Sequence, residues 1–245
     1  QMARFDQRRN TEVAQFGWLT TSASRPIALA ALKEAVRDGS LGIADAEAID
    51  EMLTFEVNKN GREEAREGHF DDRVMMLAIA AAVLIRAGWP RIAAAGGALT
   101  DPMCGVGTFL VEAAMIAADI APNLKRERWG FSAWLGHVPA LWQRLHAEAE
   151  ERAAAGLAKP PLWIRGYEAD PRLIQPGRNN VERAGLSNWI KIYQGELATF
   201  EPRPDQNQTG LVICNPPYGE RLGDEASLLY LYQNLGERLR QACMN

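Results

Sequence analysis

The chain of 245 residues is poor in cysteine and histidine, with three of each. Cys104, Cys214 and Cys243 lie far apart in the sequence, and no two of them form a C-x-x-C pair. This spacing argues against a disulfide framework or a structural zinc site and is typical of a reducing, cytoplasmic compartment. We therefore expect no metal and no disulfide-linked partner.

Long hydrophobic runs and a strong net charge are also lacking. The most apolar run, residues 74–84, is flanked by charge and too short to span a bilayer, so we expect a buried helix and no membrane contact. The formal net charge is −4, so any contact with nucleic acid must come from a local patch. A hydrophobic content of 47% with 24% charged residues fits a soluble globular protein.

The most informative stretch is residues 98–115. A short apolar run ends at Asp101, a loop with Gly105 and Gly107 follows, and a helix-forming run begins at Thr108. The two glycines permit a sharp turn and close approach of a ligand to backbone N–H groups, and a helix N-terminus favours negative charge. The pattern indicates a nucleotide-type strand–loop–helix without the spacing of G-x-G-x-x-G or of a phosphate loop. An ordinary βα turn is the alternative.

Three more strands are predicted at residues 162–168, 189–193 and 211–214. An acid at the carboxyl end of a strand that follows such a loop is placed to bind ribose hydroxyls. Glu168 fits this role, while Asp170 could replace it or cap the next helix. Glu196 is a candidate partner for an adenine amino group, and a plain surface acid is the alternative.

The fourth predicted strand leads directly into Asn215-Pro216-Pro217-Tyr218. Two prolines fix φ and end the strand pairing, which would hold Asn215 rigidly at the rim of the sheet. The Asn oxygen and a backbone carbonyl could accept from an exocyclic amine, and Tyr218 could stack on the base. Such a site orients an amine toward an electrophile, and the base must be unpaired or flipped out. A structural turn is the alternative.

A basic and aromatic stretch follows the helix after the glycine loop. Cations interleaved with aromatic rings are typical of a nucleic-acid surface, through phosphate contact and base stacking. The alternative is a loop whose aromatics enter the core. The candidate RNA-binding residues are Lys125, Arg126, Arg128 and Trp129.

From about residue 81 onward the chain resembles the S-adenosylmethionine-dependent amino-methyltransferases, and more closely the bacterial 23S ribosomal RNA guanine-N2 methyltransferases. The resemblance lies in residues 101–108, 112–117, 128–131 and 215–222. It implies an α/β, Rossmann-like parallel sheet, S-adenosylmethionine as cofactor, and methyl transfer to the exocyclic N2 amine of a guanine in large-subunit ribosomal RNA.

Positions that match the family's motifs are carried over as site residues. Those expected to bind the cofactor are Asp101, Met103, Cys104, Gly105, Gly107, Thr108, Glu168, Asp170 and Glu196. Those expected to hold the guanine and serve catalysis are Asn215, Pro216, Pro217 and Tyr218. The sequence also departs from the family. Glu196 stands where Asp is commoner in the family. We expect the terminase-like segment in place of the family's THUMP domain, and we expect the sheet to stop after its fourth strand. Pro176 interrupts a helix that is normally continuous, which predicts a kink or a late helix start.

Residues 13–80 resemble the C-terminal part of phage terminase large subunits, in Phe16-Gly17-Trp18 and in residues 68–75. That family implies a metal-dependent nuclease with an acid at Asp71 or Asp72, whereas an acidic helix cap is the plainer interpretation. One acid pair cannot assemble a two-metal site, so the resemblance implies nuclease ancestry rather than DNA cleavage. We expect two domains, a mostly helical segment at 1–80 and a methyltransferase core at 81–245, either active or an inactive fusion.

Overall fold

The structure, a computed structural model, describes residues 2–6, 11–15, 24–37, 54–58, 63–66, 72–121, 124–125, 132, 135–197, 210–216 and 225–243. The N-terminal elements are β1 (Met2–Asp6), β2 (Thr11–Gln15), α1 (Ser24–Arg37), β3 (Phe55–Val57), β4 (Glu63–Ala65) and α2 (Asp72–Arg86). The following elements are α3 (Trp89–Ala94), β5 (Ala98–Asp101), α4 (Thr108–Ala117), α5 (Pro139–Leu157), β6 (Ile164–Glu168), α6 (Pro171–Arg183), β7 (Ile190–Gln194), β8 (Gly210–Val212) and α7 (Glu225–Cys243).

Four strands form a parallel sheet in the order β7-β6-β5-β8. Leu99 of β5 stands level with Ile164 of β6 on one side and with Leu211 of β8 on the other. Because all four strands are parallel, their carboxyl ends meet at one edge of the sheet. The α/β fold with a parallel, Rossmann-like sheet is therefore confirmed.

The burial of the strands explains why these segments form the sheet. All four residues of β5 are buried, as expected for a central strand covered on both faces. β6 and β7 instead alternate, with Ile164, Ile190 and Ile192 buried on one face. These side chains join Leu110 of α4 in the main apolar core. Trp89 of α3 is fully buried there, and its Nε1 donates to the Ala113 carbonyl of α4 at 2.8 Å.

For helix α6 the sequence predicts either a kink or a late start at Pro176. Asp170 caps the helix, which begins at Pro171 and runs through Pro176 to Arg183. The late start predicted at Pro176 is therefore wrong. Packing of Ile174, Gly177 and Val181 into the core outweighs the loss of one backbone hydrogen bond at an interior proline.

The N-terminal segment holds more strand than the mostly helical prediction allowed. β1 pairs with β2 and β3 with β4, each as an antiparallel hairpin. The alternation of residues 54–57 predicts an edge strand, which corresponds to β3. The sequence also predicts a helix at 45–53, which lies outside the described residues. Among the described residues, no helix combines the length and apolar character needed to cross a membrane.

Helix α2 links two apolar clusters. One of its sides packs against α1, where the shared cluster includes Leu29, Leu32, Val74 and Leu77. Ala80 and Leu84 of the same helix join the main core beside the sheet. The predicted domain boundary at residue 80 thus falls within a single continuous helix.

Candidate active site

The glycine loop joins the carboxyl end of β5 to the N-terminus of α4. Gly105 and Gly107 have φ values of 55° and 83°, in the left-handed region where glycine is favoured, and Gly107 is the N-cap of α4. Gly107 N donates to Cys104 O at 2.8 Å, and Cys104 N donates to Tyr167 O of β6 at 2.9 Å. The loop is therefore held against the neighbouring strand, with Thr108 opening the helix behind it.

Two carboxylates border this loop. Asp101, the last residue of β5, accepts a hydrogen bond from Met103 N at 3.0 Å through Oδ1. Glu168, the last residue of β6, accepts from Gly105 N at 2.8 Å through Oε2 and from Asp170 N at 2.9 Å through Oε1. Glu168 thus ties the glycine loop to the start of α6. Each of its oxygens retains a second lone pair for a ligand hydroxyl.

The environment of Asp101 affects its charge. Its side chain is only 1% exposed. Burial raises the pKa of Asp101 to about 7; the Met103 N–H opposes that rise, and the negative charge of Glu168 adds to it. A carboxyl that is half protonated near neutral pH is typical of a functional site.

Both cysteines near the loop are held as thiols. Burial raises the pKa of Cys104, and the charges of Asp101 and Glu168 raise it further. Burial and, secondarily, Asp101 raise the pKa of Cys214 to about 12. Since the thiolate is the reactive form, neither residue is a good nucleophile. The influence of Asp101 on Cys214 also shows that the residue preceding Asn215 lies within electrostatic reach of the loop.

The glycine loop and Asn215 follow neighbouring strands. β8 pairs directly with β5, and Ile213 N donates to Thr100 O at 3.0 Å just beyond the paired residues. Asn215 is exposed and Pro216 half-buried where the chain leaves β8. Pro217 and Tyr218 lie outside the described residues. Because β5 and β8 are neighbouring parallel strands, the glycine loop and Asn215 both follow strand ends at the same edge of the sheet.

The remaining acids occupy the same edge of the sheet. Asp170 accepts from Arg172 N at 2.9 Å and pairs with Arg172 Nη2 at 2.8 Å, and hydrogen bonds from Arg172 lower the pKa of Asp170. Of its two predicted roles, capping is the one seen in the fold. Glu196 is exposed two residues past β7, next to Gly195, whose N donates to Glu168 O at 3.1 Å.

Three supporting residues were missed from the sequence. Asn180 Nδ2 donates to Val106 O at 3.1 Å, and Arg178 Nη2 donates to Ile192 O at 2.9 Å, so α6 holds both the loop and β7. Gly166 of β6 lies under the loop, where a Cβ would come within 2.7 Å of Cys104 Sγ. A glycine inside a strand is a signal of close approach that the sequence did offer.

The predicted RNA-binding and metal-binding residues lie elsewhere or outside the described chain. Lys125 Nζ would lie 3.1 Å from a Cβ on Gly185, which follows the C-terminal end of α6. This is the end of the sheet opposite to the glycine loop, because α6 begins at the carboxyl end of β6. Arg126, Arg128, Trp129 and Asp71 are not described, and Asp72 is the first residue of α2. Within the described ranges, no group of three or more His, Cys, Asp or Glu side chains is placed to hold a metal ion.

The parallel sheet and the glycine loop at its carboxyl edge together define an α/β protein of the Rossmann-like methyltransferase class. A model of the RMKL-like methyltransferase domain family matches residues 69–245, and the chain belongs to this family. The matched residues include Asp71 and Asp72. The comparisons do not support the resemblance of residues 13–80 to terminases.

Curated relatives agree with this family. The chain is 89% identical over 167 residues to the ribosomal RNA large subunit methyltransferase K/L of Pseudomonas fluorescens, and 89% identical over 166 residues to that of Stutzerimonas stutzeri. Each match covers 68% of this chain but only 22% and 23% of the relative. The chain therefore spans less than a quarter of the length of these relatives.

Solved structures share the fold at appreciable identity. One is a putative methyltransferase complexed with SAH, with a TM-score of 0.58 and 35% identity over 67% of this chain and 41% of its own. Another is a predicted N6-adenine-specific DNA methylase from Listeria monocytogenes, with a TM-score of 0.57 and 34% identity over 67% of this chain and 40% of its own. These likenesses agree with the Rossmann-like methyltransferase fold.

Proposed function

We propose that this chain binds S-adenosylmethionine at the glycine loop and transfers its methyl group to the N2 amine of a guanine in large-subunit ribosomal RNA. The observation that carries this proposal is the pairing of β5 with β8, which sets the loop beside Asn215. The K/L relatives, named as large-subunit ribosomal RNA methyltransferases, and the neighbour crystallised with SAH support it.

The residues around the loop fit the chemistry of this cofactor. A buried acid, Asp101, suits a cationic centre, and the N–H groups at the start of α4 suit a carboxylate. Glu168 has acceptor capacity left for ribose hydroxyls, and Glu196 lies at the adjoining strand end for an adenine amine. When bound, S-adenosylmethionine supplies an electrophilic methyl group. Met103, Cys104 and Thr108 complete the wall that we assign to the cofactor.

The segment that follows β8, residues 215–218, would hold the target base. The side-chain oxygen of Asn215 accepts from the exocyclic amine, while Pro216 and Pro217 restrict the backbone and Tyr218 stacks on the guanine. No ionised nucleophile is required, which agrees with thiols at Cys104 and Cys214 that stay protonated. The guanine must be unpaired or flipped out to reach this segment.

Two substitutions should separate base binding from cofactor binding. We expect Asn215→Ala to lower methyl transfer at least about 100-fold, because a misplaced amine loses its alignment with the methyl group, with little change in cofactor affinity. Asp101→Ala should instead weaken cofactor binding about 10- to 100-fold, the usual effect of losing a hydrogen bond to a charged group. The measurements are calorimetric titration with S-adenosylmethionine and transfer of labelled methyl to 23S ribosomal RNA, followed by nucleoside analysis.

Asp119→Asn is the matched control, because Asp119 pairs with Arg152 at the far end of α4. It should leave both measurements unchanged. A large loss of cofactor affinity in Asn215→Ala, or a methylated nucleoside other than N2-methylguanosine, would contradict the assigned roles.

A further inference from the structure

We propose that Asp101 makes the glycine-loop site selective for a cationic ligand and that binding of this ligand releases a proton from Asp101. The inference rests on the proposed function, because the cationic ligand is S-adenosylmethionine or its demethylated product. It adds a specificity-determining role for Asp101 to the contact that the site assignment gives it.

The geometry leaves Asp101 with an incomplete set of partners. Its side chain is 1% exposed at the end of the central strand β5. Oδ1 accepts from Met103 N, and this backbone N–H is the group that favours its ionised form. An ionised carboxylate that is buried with a single donor is unfavourable unless a cation or a proton compensates it.

The groups that the structure describes around Asp101 supply no such cation. Glu168, which ends the neighbouring strand β6, opposes the ionisation of Asp101 through its negative charge. Cys104 in the loop and Cys214 beyond β8 are neutral thiols. Glu112, the acid of α4, has its own pKa raised by burial, with no contribution from Asp101. Among the described residues, the charged group that acts on Asp101 is thus a second acid.

Binding of a cation beside Asp101 is thermodynamically coupled to release of the Asp101 proton. Because burial raises the pKa of Asp101 to about 7, most free molecules carry a neutral Asp101 below that pH. A cation beside Oδ2 favours the carboxylate, so binding below pH 7 must release the proton. The apparent affinity is scaled by the ionised fraction, which falls at least about tenfold between pH 7 and pH 5.5. Affinity for a cationic ligand should therefore rise as the pH rises through this window.

The experiment is calorimetric titration of the whole chain at pH 5.5, 6.2 and 7.0, each in two buffers of different ionisation enthalpy. A free α-amino group titrates at about 7.7–8.0, so this window keeps the ligand ammonium charged. The three ligands are S-adenosylmethionine, S-adenosylhomocysteine, which has an ammonium but no sulfonium, and methylthioadenosine, which has neither.

We expect S-adenosylmethionine to bind at least about tenfold more weakly at pH 5.5 than at pH 7.0 and to release a proton. Methylthioadenosine should bind without proton release at every pH. If S-adenosylhomocysteine releases a proton as S-adenosylmethionine does, Asp101 senses the ammonium group. If S-adenosylhomocysteine binds without proton release, as methylthioadenosine does, Asp101 senses the sulfonium group. Proton-free, pH-independent binding of S-adenosylmethionine would overturn the inference. If none of the three binds at any pH, the proposed function itself fails.

Two variants locate the proton. Asp101→Asn keeps the acceptor for Met103 N and should make binding of S-adenosylmethionine weaker and independent of pH. Glu168→Gln should still release a proton on binding. The midpoint of the pH dependence of affinity should move to lower pH, because the charge that opposes ionisation of Asp101 is removed. If the proton release on binding persists in Asp101→Asn but is lost in Glu168→Gln, the proton comes from Glu168 and the inference is contradicted.

A further measurement uses the wild-type chain, so its result does not depend on whether either variant folds. Carbon-13 NMR of labelled aspartate carboxyls should show one group titrating near pH 7 in the free chain and staying ionised down to pH 5.5 with S-adenosylmethionine bound. An aspartate signal near pH 7 that the ligand leaves unchanged would overturn the inference as well.

Discussion

Glu112 is a buried acid that the proposed chemistry does not use. It lies in the second turn of α4, is 2% exposed, and its Oε2 has no hydrogen-bond partner among the described residues. Burial raises the pKa of Glu112 well above its ordinary value. Its burial therefore lowers the stability of the folded chain at neutral pH, where the unfolded chain would carry an ionised glutamate.

Glu112→Gln should stabilise the folded chain at pH 7 by about 1 kcal/mol or more, because glutamine stays neutral and removes the cost of a raised carboxyl pKa, about 1.4 kcal/mol for each unit. The folded pKa lies above the unfolded one, so the folded state binds more protons between them. The wild-type chain should therefore lose stability as the pH rises from about 4.5, and the variant should lose less. Urea unfolding between pH 4.5 and 8 measures the difference; parallel curves for the two chains would show that Glu112 is hydrated or paired in solution.

Asp101 and Glu168 show what the sequence could and could not reveal at single residues. Both were predicted as site acids because each ends a strand before a loop. Their different surroundings were not predictable, since Asp101 has one N–H donor in a closed environment and Glu168 has two. The number of donors depends on how the loop folds against β6 and the start of α6, which no local pattern encodes.

Among the elements, β6 lets the glycine loop approach closely because Gly166 has no side chain. A Cβ on Gly166 would lie 2.4 Å from Leu110 Cδ1 and 2.7 Å from Cys104 Sγ, and both neighbours are buried. Neither can move without shifting α4 or the loop, because protein cores are close-packed. The strand and the loop must therefore approach each other at a glycine.

Gly166→Ala should destabilise the chain by about 1–3 kcal/mol, as overpacking of a core does, and should weaken binding of S-adenosylmethionine by displacing Cys104. The control is Gly236→Ala in α7, where a Cβ would meet no atom within 4 Å. That change should stabilise the chain by up to about 1 kcal/mol through helix propensity. Urea unfolding and cofactor titration of both variants test this, and equal behaviour of the two alanines would refute the packing role of Gly166.

The strands of the sheet could be predicted because each combines β-branched or aromatic residues with a turn signal at its end. β5, β6, β7 and β8 all appear within two residues of their expected bounds. Strand β4 and helix α3 could not be predicted in the same way. β4 has three residues and α3 has six, too few for a hydrophobic period to stand out.

At the scale of the molecule, the N-terminal segment and the methyltransferase domain share α2. The family match begins at residue 69, so α2 lies within it, while α1 lies before it. Leu29 and Leu32 of α1 are buried against Val74 and Leu77 of α2, and Ile116 of α4 packs against both clusters. Arg25 Nη2 also donates to Glu63 O at 3.2 Å, and Lys33 pairs with the Glu63 carboxylate. The junction that the sequence predicts near residue 80 lies inside α2, and the packing joins the two regions through this helix.

Two neighbouring substitutions on α1 should show whether this packing supports the whole chain. Leu29 is 3% exposed within the cluster, and Ile27 is 54% exposed on the same helix. Leu29→Ala should cost about 2–5 kcal/mol and lower the midpoint of the single unfolding transition, because the cavity forms in a core that α2 shares with the sheet. Ile27→Ala should change the stability by no more than about 0.5 kcal/mol. Urea unfolding followed by tryptophan fluorescence is informative because Trp89 and Trp189 are buried in the main core. If the fluorescence transition had the same urea midpoint in Leu29→Ala as in Ile27→Ala, α1 would unfold independently of the sheet. Residues 24–37 would then contribute nothing to the stability of the methyltransferase domain.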